Sequence, residues 1–235
     1  MIVLALDTST ALTSVALLRD GVVLAERDHL DARRHAEVLL PLIDAVVQES
    51  GLGRRDVTHV AVGVGPGAYT GLRVGVATAT ALGLGLGVAV HPVPTLDAMA
   101  AASGLTGPFG VVTDARRKEL FWARYDVAEA AGASVLGSGS PGVGRPKEVA
   151  AALAGLPVVG AAATPFAAQF DDVREPSLPR ASWVARLAAG AIGAGDAAGP
   201  VRPLYLRRPD VTLPAPAGRP VTASPSGSSA DGRPA

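Results

Sequence analysis

Two apolar segments that each end in an aspartate open two halves of this chain with the same plan. Ile2–Asp7 has the pattern of a buried strand ending in a carboxylate, and Phe109–Thr113 is a second such strand, followed by Asp114. In each half the order is then the same: strands joined by tight turns, and next a helix, a strand and a helix. This repeat without sequence identity predicts a duplicated α/β domain in which helices cover two mixed sheets.

Changes in composition along the chain give the expected domain boundaries. We expect a first lobe at residues 1–104 and a second lobe of the same plan at residues 105–213. Residues 214–235 contain mainly Pro, Ala, Gly and Ser, and such a segment cannot bury enough apolar surface to offset its ordering entropy. We therefore predict a disordered tail there.

Helical periodicity and turn residues place the elements within each lobe. Pro41 lies inside the first helix and is expected to kink it or delay its start, and Thr95 is the expected cap of the third helix. The last helix carries Trp183, Leu187 and Ile192 on one side. The predicted helices are Ala36–Ser50, Thr70–Gly87, Thr95–Ser103, Pro146–Leu153 and Ser182–Ala194, and the further strands are Thr13–Leu18, Val22–Arg27, Val57–Val64, Val88–Val90, Glu119–Val127, Ala133–Leu136 and Pro157–Gly160.

Composition excludes several classes of chemistry and partner. The chain has no Cys, which excludes disulfides, thiolate metal ligands and cysteine nucleophiles. Its 21 basic residues balance 21 acidic ones and only 4% of residues are aromatic, so neither charge nor base stacking favours direct binding of nucleic acid. The uncharged run Val74 to Val90 is shorter than the roughly 20 apolar residues of a membrane span. Because no basic leader precedes the first strand, we expect a cytoplasmic protein with no membrane contact.

A stripe of small residues marks the second predicted helix. Gly71, Gly75, Ala79, Gly83 and Gly87 recur at every fourth position, and four glycines in a helix cost on the order of 3–4 kcal/mol relative to alanine. The stripe indicates that a neighbour approaches this face closely, either the protein's own sheet or a helix of another subunit. If the neighbour is a subunit, Leu in place of Gly75 or Gly83 should block assembly and leave the monomer folded.

Two strand ends and one glycine-rich loop are candidates for an anion site. A helix N-terminus that follows glycines can hold a phosphate, but the same residue types also suit tight turns that satisfy backbone groups. A dinucleotide site is disfavoured, because the loop does not follow the first strand and the next strand lacks the required acid. Both the anion site and the structural turn stay open. The candidate residues are Asp7, Thr8, Ser9, Gly65, Gly67 and Asp114.

The four histidines, His29, His35, His59 and His91, lie far apart and none has the spacing of a metal-binding motif. The chain also lacks the nucleophile elbow of a hydrolase. We therefore predict neither a metal site nor a catalytic residue.

Four motifs and a short C-terminal signature together resemble the TsaB family, over residues 2–128 and 200–208. Members of this family are the non-catalytic dimerisation subunit of the bacterial machinery that makes threonylcarbamoyladenosine on transfer RNA. The resemblance implies a duplicated ribonuclease H-like, actin-like ATPase fold. The residues that carry it are Leu4-Ala5-Leu6-Asp7-Thr8-Ser9-Thr10, His35-Ala36-Glu37 with Leu39-Leu40-Pro41-Leu42-Ile43, Gly65-Pro66-Gly67-Ala68-Tyr69-Thr70-Gly71-Leu72-Arg73, Asp114-Ala115-Arg116-Arg117 and Pro203-Leu204-Tyr205-Leu206-Arg207.

The resemblance also implies partners. The first two long helices are expected to pair with the related catalytic subunit TsaD, which transfers a threonylcarbamoyl group to the adenosine beside the anticodon. We also expect the ATPase subunit TsaE in the assembly, a homodimer when the chain is isolated, and contact with tRNA mainly through the complex. This chain should bind no cofactor tightly, with weak ATP or ADP and magnesium at most at the complex interface. The expected interface residues are His35, Leu39, Leu42, Ile43, Val46, Gly71, Gly75, Ala79, Gly83 and Gly87.

An enzyme is the alternative: an actin-like sugar kinase or ATPase that uses Asp7 and Asp114 around a magnesium nucleotide. Kinases and ATPases of this fold have glycine in their phosphate turns, and this chain has none beside either aspartate. Catalytic sister subunits carry a metal-binding His pair where this chain has only His35. A vestigial nucleotide or anion site in a scaffold subunit is therefore the favoured interpretation. A peptidase is the third possibility, and the sequence argues against it because it shows neither a metal-binding cluster nor a nucleophile motif.

Overall fold

A computed structural model describes residues 1–129, 134–137 and 140–207 of the chain. The predicted tail at 214–235 lies outside the described residues, as does the first residue of the predicted strand Ala133–Leu136. Within the described ranges the chain forms two mixed β-sheets with helices on their faces.

The first sheet contains five strands in the order β3-β2-β1-β4-β5. Strands β1 to β3 are antiparallel, while β4 and β5 run parallel to β1. The Asp20-Gly21 turn joins β2 to β3 with both residues at positive φ, as expected for an Asp-Gly hairpin. The strands are β1 (Ile2–Asp7), β2 (Leu12–Arg19), β3 (Val22–Leu30), β4 (His59–Gly63) and β5 (Ala89–Val93).

Three helices follow strands of this sheet along the chain: α1 (His35–Glu49), α2 (Tyr69–Leu86) and α3 (Thr95–Ser103). Of these, α3 packs mainly on the second sheet. Helices α1 and α2 cover one face, where they pack with the alternate β1 residues Leu4 and Leu6. The predicted delay of α1 at Pro41 is wrong, because the helix begins six residues earlier and contains the proline. Thr95 is also not the cap of α3: Pro94 takes that position, and the Thr95 hydroxyl bonds to groups in other loops.

The second sheet repeats the strand order of the first, as β11-β10-β6-β7-β8, with β9 paired to β7. In the described part of this lobe, one short helix lies between the strands, α4 (Pro146–Ala152), and 3-10 turns at Ala161–Ala163 and Ala167–Gln169 stand where the first lobe has α2. The predicted duplicated ribonuclease H-like fold is thus confirmed, with a reduced second copy. The strands are β6 (Phe109–Asp114), β7 (Leu120–Glu129), β8 (Ser134–Gly137), β9 (Gly142–Gly144), β10 (Val158–Val159) and β11 (Val173–Arg174).

The last helix, α5 (Ala181–Gly193), packs on the first sheet, on the face opposite α1 and α2. Its first turn is fixed there, since the Ala181 amide donates to Ser14 Oγ at 2.8 Å. Its buried side consists of small residues that allow close approach, whereas Trp183, Leu187 and Ile192 are only partly buried. The predicted boundary at 105–213 therefore needs a correction: this helix belongs structurally with the first sheet. None of the helices in the described ranges is long and apolar enough to cross a membrane.

Candidate functional site

The carboxylate that ends β1 is enclosed by protein. Asp7 is fully buried, with Oδ1 accepting from the Ser9 amide at 2.7 Å and Oδ2 accepting from Thr95 Oγ1 at 2.8 Å. The backbone of Gly63 lies so close that an added Cβ would be 1.8 Å from Asp7 Oδ2. Burial raises the pKa of Asp7 even though these hydrogen bonds favour its anion. Asp7 therefore ties three loops together rather than facing solvent.

The two hydroxyl residues after Asp7 are also used internally. Thr8 Oγ1 donates to the carbonyl of Gly71 at 2.7 Å, and Ser9 Oγ shares a 2.8 Å hydrogen bond with Thr95 Oγ1. Thr8 is fully buried and Ser9 is 2% exposed. These bonds satisfy polar groups in the turn between β1 and β2, as the structural alternative requires.

The glycines of the loop before α2 allow backbone segments to meet. Gly65 has a φ of 93°, and its amide donates to Thr95 Oγ1 at 3.1 Å. An added Cβ at Gly67 would lie 2.2 Å from the Ser9 carbonyl oxygen. The geometry therefore supports a tight strand-to-helix turn at Gly65 and Gly67 and not an open anion cradle.

A cleft of about 160 Å³ separates the ends of the two central strands. Of the predicted anion-site residues, Ser9 and Asp114 line it, and Asp7 does not. Asp114 accepts from the Arg116 amide at 2.8 Å, with the Arg116 guanidinium 3.6 Å from its other oxygen. Thr113 Oγ1, in a residue only 4% exposed, has no hydrogen-bond partner in the described part of the chain. The two aspartates therefore do not line one cleft together, because Asp7 is held in the turn after β1.

The small-residue stripe of α2 faces the protein's own sheet. Added Cβ atoms at Gly71 and Gly75 would lie 2.4 Å from the Thr8 carbonyl oxygen and 2.3 Å from Thr8 Oγ1. At Gly83 the Cβ would meet Val90 Cγ2 at 2.3 Å. Ala79 is fully buried, and Gly87 ends the helix with a φ of 69°. The expectation that these five residues contact a partner is therefore corrected. The stripe lets α2 approach the strands of its own sheet, and its last member, Gly87, is the C-terminal cap of the helix.

The predicted contact residues of α1 point inward as well. Leu39, Ile43 and Val46 lie in the core with the sheet, and Leu42 is partly buried against it. His35 is 6% exposed, and its Nδ1 shares a 2.7 Å hydrogen bond with Thr13 Oγ1. Burial lowers the pKa of His35, so its imidazole is neutral at neutral pH. The assignment of His35, Leu39, Ile43 and Val46 to a partner interface is therefore corrected, since their side chains serve the monomer.

The accessible side of the same two helices contains residues that the sequence interpretation missed. Leu40 on α1 is 57% exposed and Leu84 on α2 is 80% exposed, although both are large and apolar. Ala77 and Ala81, also on α2, are exposed as well. We call this surface the outer helix face; it comprises Ala36, Leu40 and Pro41 of α1 with Tyr69, Arg73, Ala77, Ala81 and Leu84 of α2. The sequence does contain a signal for this exposed side of α2, because residues 73, 77, 81 and 84 are three or four positions apart and so lie on one side of a helix.

Aromatic contacts order the beginning of the outer helix face. The Arg73 guanidinium lies 4.5 Å from the ring centroid of Tyr69, and Tyr69 stacks on Tyr205 at 5.1 Å. Leu204 anchors the C-terminal segment beside them by donating its amide to the Val64 carbonyl at 2.7 Å. The resemblance singled out these residues as motifs, and the structure brings them together. Across 1–129, 134–137 and 140–207, no three His, Asp or Glu side chains form a group suited to a metal ion.

Comparisons with known proteins bear on this arrangement. Residues 24–150 match the family model described as TsaD: tRNA N6-adenosine threonylcarbamoyltransferase. The chain is also 42% identical over 127 residues to the tRNA threonylcarbamoyladenosine biosynthesis protein TsaB of Haemophilus influenzae, a match that covers 52% of each protein. The chain belongs to the TsaB family.

Similarity to other proteins extends beyond that half. An uncharacterized protein of Mycobacterium tuberculosis strain H37Rv is 40% identical over 216 residues, which covers 88% of this chain and 92% of that protein. The solved structure of YeaZ from Pseudomonas aeruginosa superimposes with a TM-score of 0.74 at 28% identity, covering 87% of this chain and 99% of that one. The similarity to these two proteins therefore includes both sheets and not only the motif-rich first lobe.

Proposed function

We propose that this chain is a non-catalytic subunit in the biosynthesis of tRNA threonylcarbamoyladenosine, which acts by dimerising with a TsaD-type catalytic subunit. Its TsaB-family relatives, by their names, belong to that biosynthesis. In this role the chain holds the catalytic subunit in an active arrangement. A TsaE-type ATPase and tRNA then join the assembly, and any ATP or ADP with magnesium binds weakly and only at the joint interface.

The outer helix face is the observation that carries the proposal. Exposed apolar side chains next to small ones let a second pair of helices approach closely and bury Leu40 and Leu84. Burying a Leu contributes about 1.5–3 kcal/mol, and a stable complex needs roughly 1,000 Å² of interface. Two neighbouring helices of 15 and 18 residues offer an extended surface for such a contact.

The geometry of the cleft speaks against the kinase or ATPase alternative. That alternative requires Asp7 and Asp114 on either side of a magnesium nucleotide, but Asp7 is fully buried and bonded to Ser9 and Thr95. The cleft, at about 160 Å³, is also smaller than the roughly 300 Å³ at which small-molecule pockets begin.

Co-purification with the TsaD-type subunit of the same organism tests the interface. Replacing Leu40 and Leu84 by Glu puts two charges on the outer helix face, and we expect complex affinity to fall by roughly a hundredfold or more. Val22→Glu is the matched control, because Val22 is also apolar and 62% exposed but belongs to β3 and to neither helix. A complex that survives the double substitution, in a variant that circular dichroism shows to be folded, contradicts the interface.

A further inference from the structure

A cavity of about 370 Å³ lies on the other side of the first sheet from the outer helix face, between β5, the start of α3 and the end of α5. Its volume falls within the roughly 300–1,000 Å³ of small-molecule sites. An aliphatic wall forms much of it, made by Pro92, Val93, Leu187, Ala188 and Ala191. The scaffold role proposed above makes no use of this cavity.

His91, which lines this cavity, has an unpartnered imidazole nitrogen. His91 is 8% exposed, and its Nε2 has no hydrogen-bond partner among the residues that the structure describes. Its ring packs against that of His59, with centroids 5.4 Å apart. Burial and the nearby His59 lower the pKa of His91, so the ring is neutral and can accept a hydrogen bond through one nitrogen. A buried nitrogen without a partner is costly, and a ligand that donates to it removes that cost.

Two carboxylates also line the cavity. Asp97 accepts a 2.7 Å hydrogen bond from Tyr125 Oη at its Oδ1, and Asp196 is exposed. The lining residues include no Lys or Arg within the part of the chain that the structure describes. Burial raises the pKa of the Asp97 carboxyl because it disfavours the anion, and the hydrogen bond from Tyr125 opposes this shift. A cation beside Asp97 would stabilise that anion.

We propose that this cavity binds an organic cation, an ammonium or guanidinium group carried on an aliphatic stem. Asp97 and Asp196 hold the charged end, His91 Nε2 accepts one of its N–H groups, and the wall formed by Leu187 and Ala191 covers the stem. Two sources have this chemistry: a free alkylamine or alkylguanidine, and the Arg or Lys side chain of a polypeptide.

Titration of the full chain with agmatine, followed by amide and imidazole NMR signals, tests the site. We expect saturable shifts at His91, Ala188 and Ala191, and at least about tenfold weaker binding of butylurea, which has similar hydrogen-bond donors and no charge. Asp196→Asn should weaken agmatine binding by about tenfold, and Asp97→Asn should do so while keeping an acceptor for Tyr125. Asp171→Asn, at an exposed aspartate outside the cavity, is the matched control and should bind normally.

Several results would overturn the site: no saturable shifts, equal binding of butylurea, or the same loss with Asp171→Asn as with Asp196→Asn. An arginine residue within a short peptide, blocked at both ends, distinguishes the two sources. Tighter binding of the peptide than of agmatine indicates a polypeptide side chain, and tighter binding of agmatine indicates a free metabolite.

Discussion

At the scale of single residues, a few polar side chains in the first lobe decide how three loops meet. Thr95 Oγ1 contacts Asp7, Ser9 and the amide of Gly65, and so joins the end of β1 to the loop before α2. All of these groups are buried, where each hydrogen bond avoids the cost of an unsatisfied polar atom. The network holds the first turn of α2 against β1.

The raised pKa of Asp7 predicts a specific pH dependence. Because burial raises the pKa above its ordinary value of 3.8, the folded chain keeps a proton that the unfolded chain releases, and the stability from this group is lost as pH rises through its folded pKa. Asp7→Asn removes this titration and keeps an acceptor for the Ser9 amide. We expect the free energy of unfolding of the wild type, minus that of the variant, to fall as pH rises above about 4.

Urea unfolding across that pH range measures the difference. The exposed Asp171, replaced by Asn, is the control and should give a nearly constant difference. A difference for Asp7→Asn that is constant, or that rises with pH, would mean that Asp7 is not a destabilised buried anion.

The glycines of α2 make a second prediction at this scale. Gly75→Ala should lower the free energy of unfolding by about 1–3 kcal/mol, because its Cβ would overlap Thr8 Oγ1. Gly85 has nothing within 4 Å of an added Cβ, so Gly85→Ala should raise stability by about 0.5–1 kcal/mol. Thermal and chemical unfolding measure both changes. Equal effects at the two positions would contradict the inward orientation of the stripe. The earlier expectation that Leu at Gly75 or Gly83 leaves the monomer folded does not survive this geometry.

At the scale of elements, the spacing of apolar residues was sufficient to locate the long helices, but it did not show which side of α2 faces the sheet. The ends of α1 and α2 lie within one residue of those predicted, because apolar spacing and a terminal glycine are local signals. The stripe of α2 was ambiguous, since small residues serve equally for packing on a sheet and for packing on a partner. What decides between them is chiefly Thr8, which lies against Gly71 and Gly75 and is 63 residues away from Gly71 in the sequence.

The sequence predicted where the candidate site residues lie, but not what their side chains do. Asp7, Ser9 and Asp114 do lie at the ends of the central strands, as the repeat implied. Whether such a side chain faces a cleft or a backbone amide depends on a partner such as Thr95, 88 residues beyond Asp7. No local pattern contains that information.

The C-terminal segment Pro203–Arg207 joins the two lobes and supplies a prediction at this scale. Arg207 pairs with Glu119 and donates to the carbonyl of Ala115 at 3.3 Å, at the turn between β6 and β7. Arg207→Ala should lower the free energy of unfolding by about 1 kcal/mol and accelerate hydrogen exchange at the Ala115 and Glu119 amides. The exposed Arg202 is the control. Unchanged exchange at this turn would show that the segment does not brace it.

At the scale of the whole molecule, the two copies of the duplicated fold differ in how helices cover their sheets. The first sheet has two long helices on one face, while the strands of the second sheet are connected, among the residues that the structure describes, by one short helix and by 3-10 turns. Helix α5, encoded after the second sheet, completes the covering of the first. From its place in the sequence we assigned α5 to the second lobe, because no local sequence pattern shows that a helix packs on a sheet formed much earlier in the chain. The first lobe consequently has its own α5 on one face and offers α1 and α2 on the other.

The most direct measurement is the threonylcarbamoyladenosine content of cellular tRNA, determined by mass spectrometry of digested nucleosides after the native chain is depleted. The account predicts that the modification falls on depletion and is restored by the wild type and by Val22→Glu. The folded Leu40→Glu, Leu84→Glu variant should not restore it. Undiminished modification after depletion would contradict the role, and full restoration by the double variant would contradict the outer helix face as the docking surface.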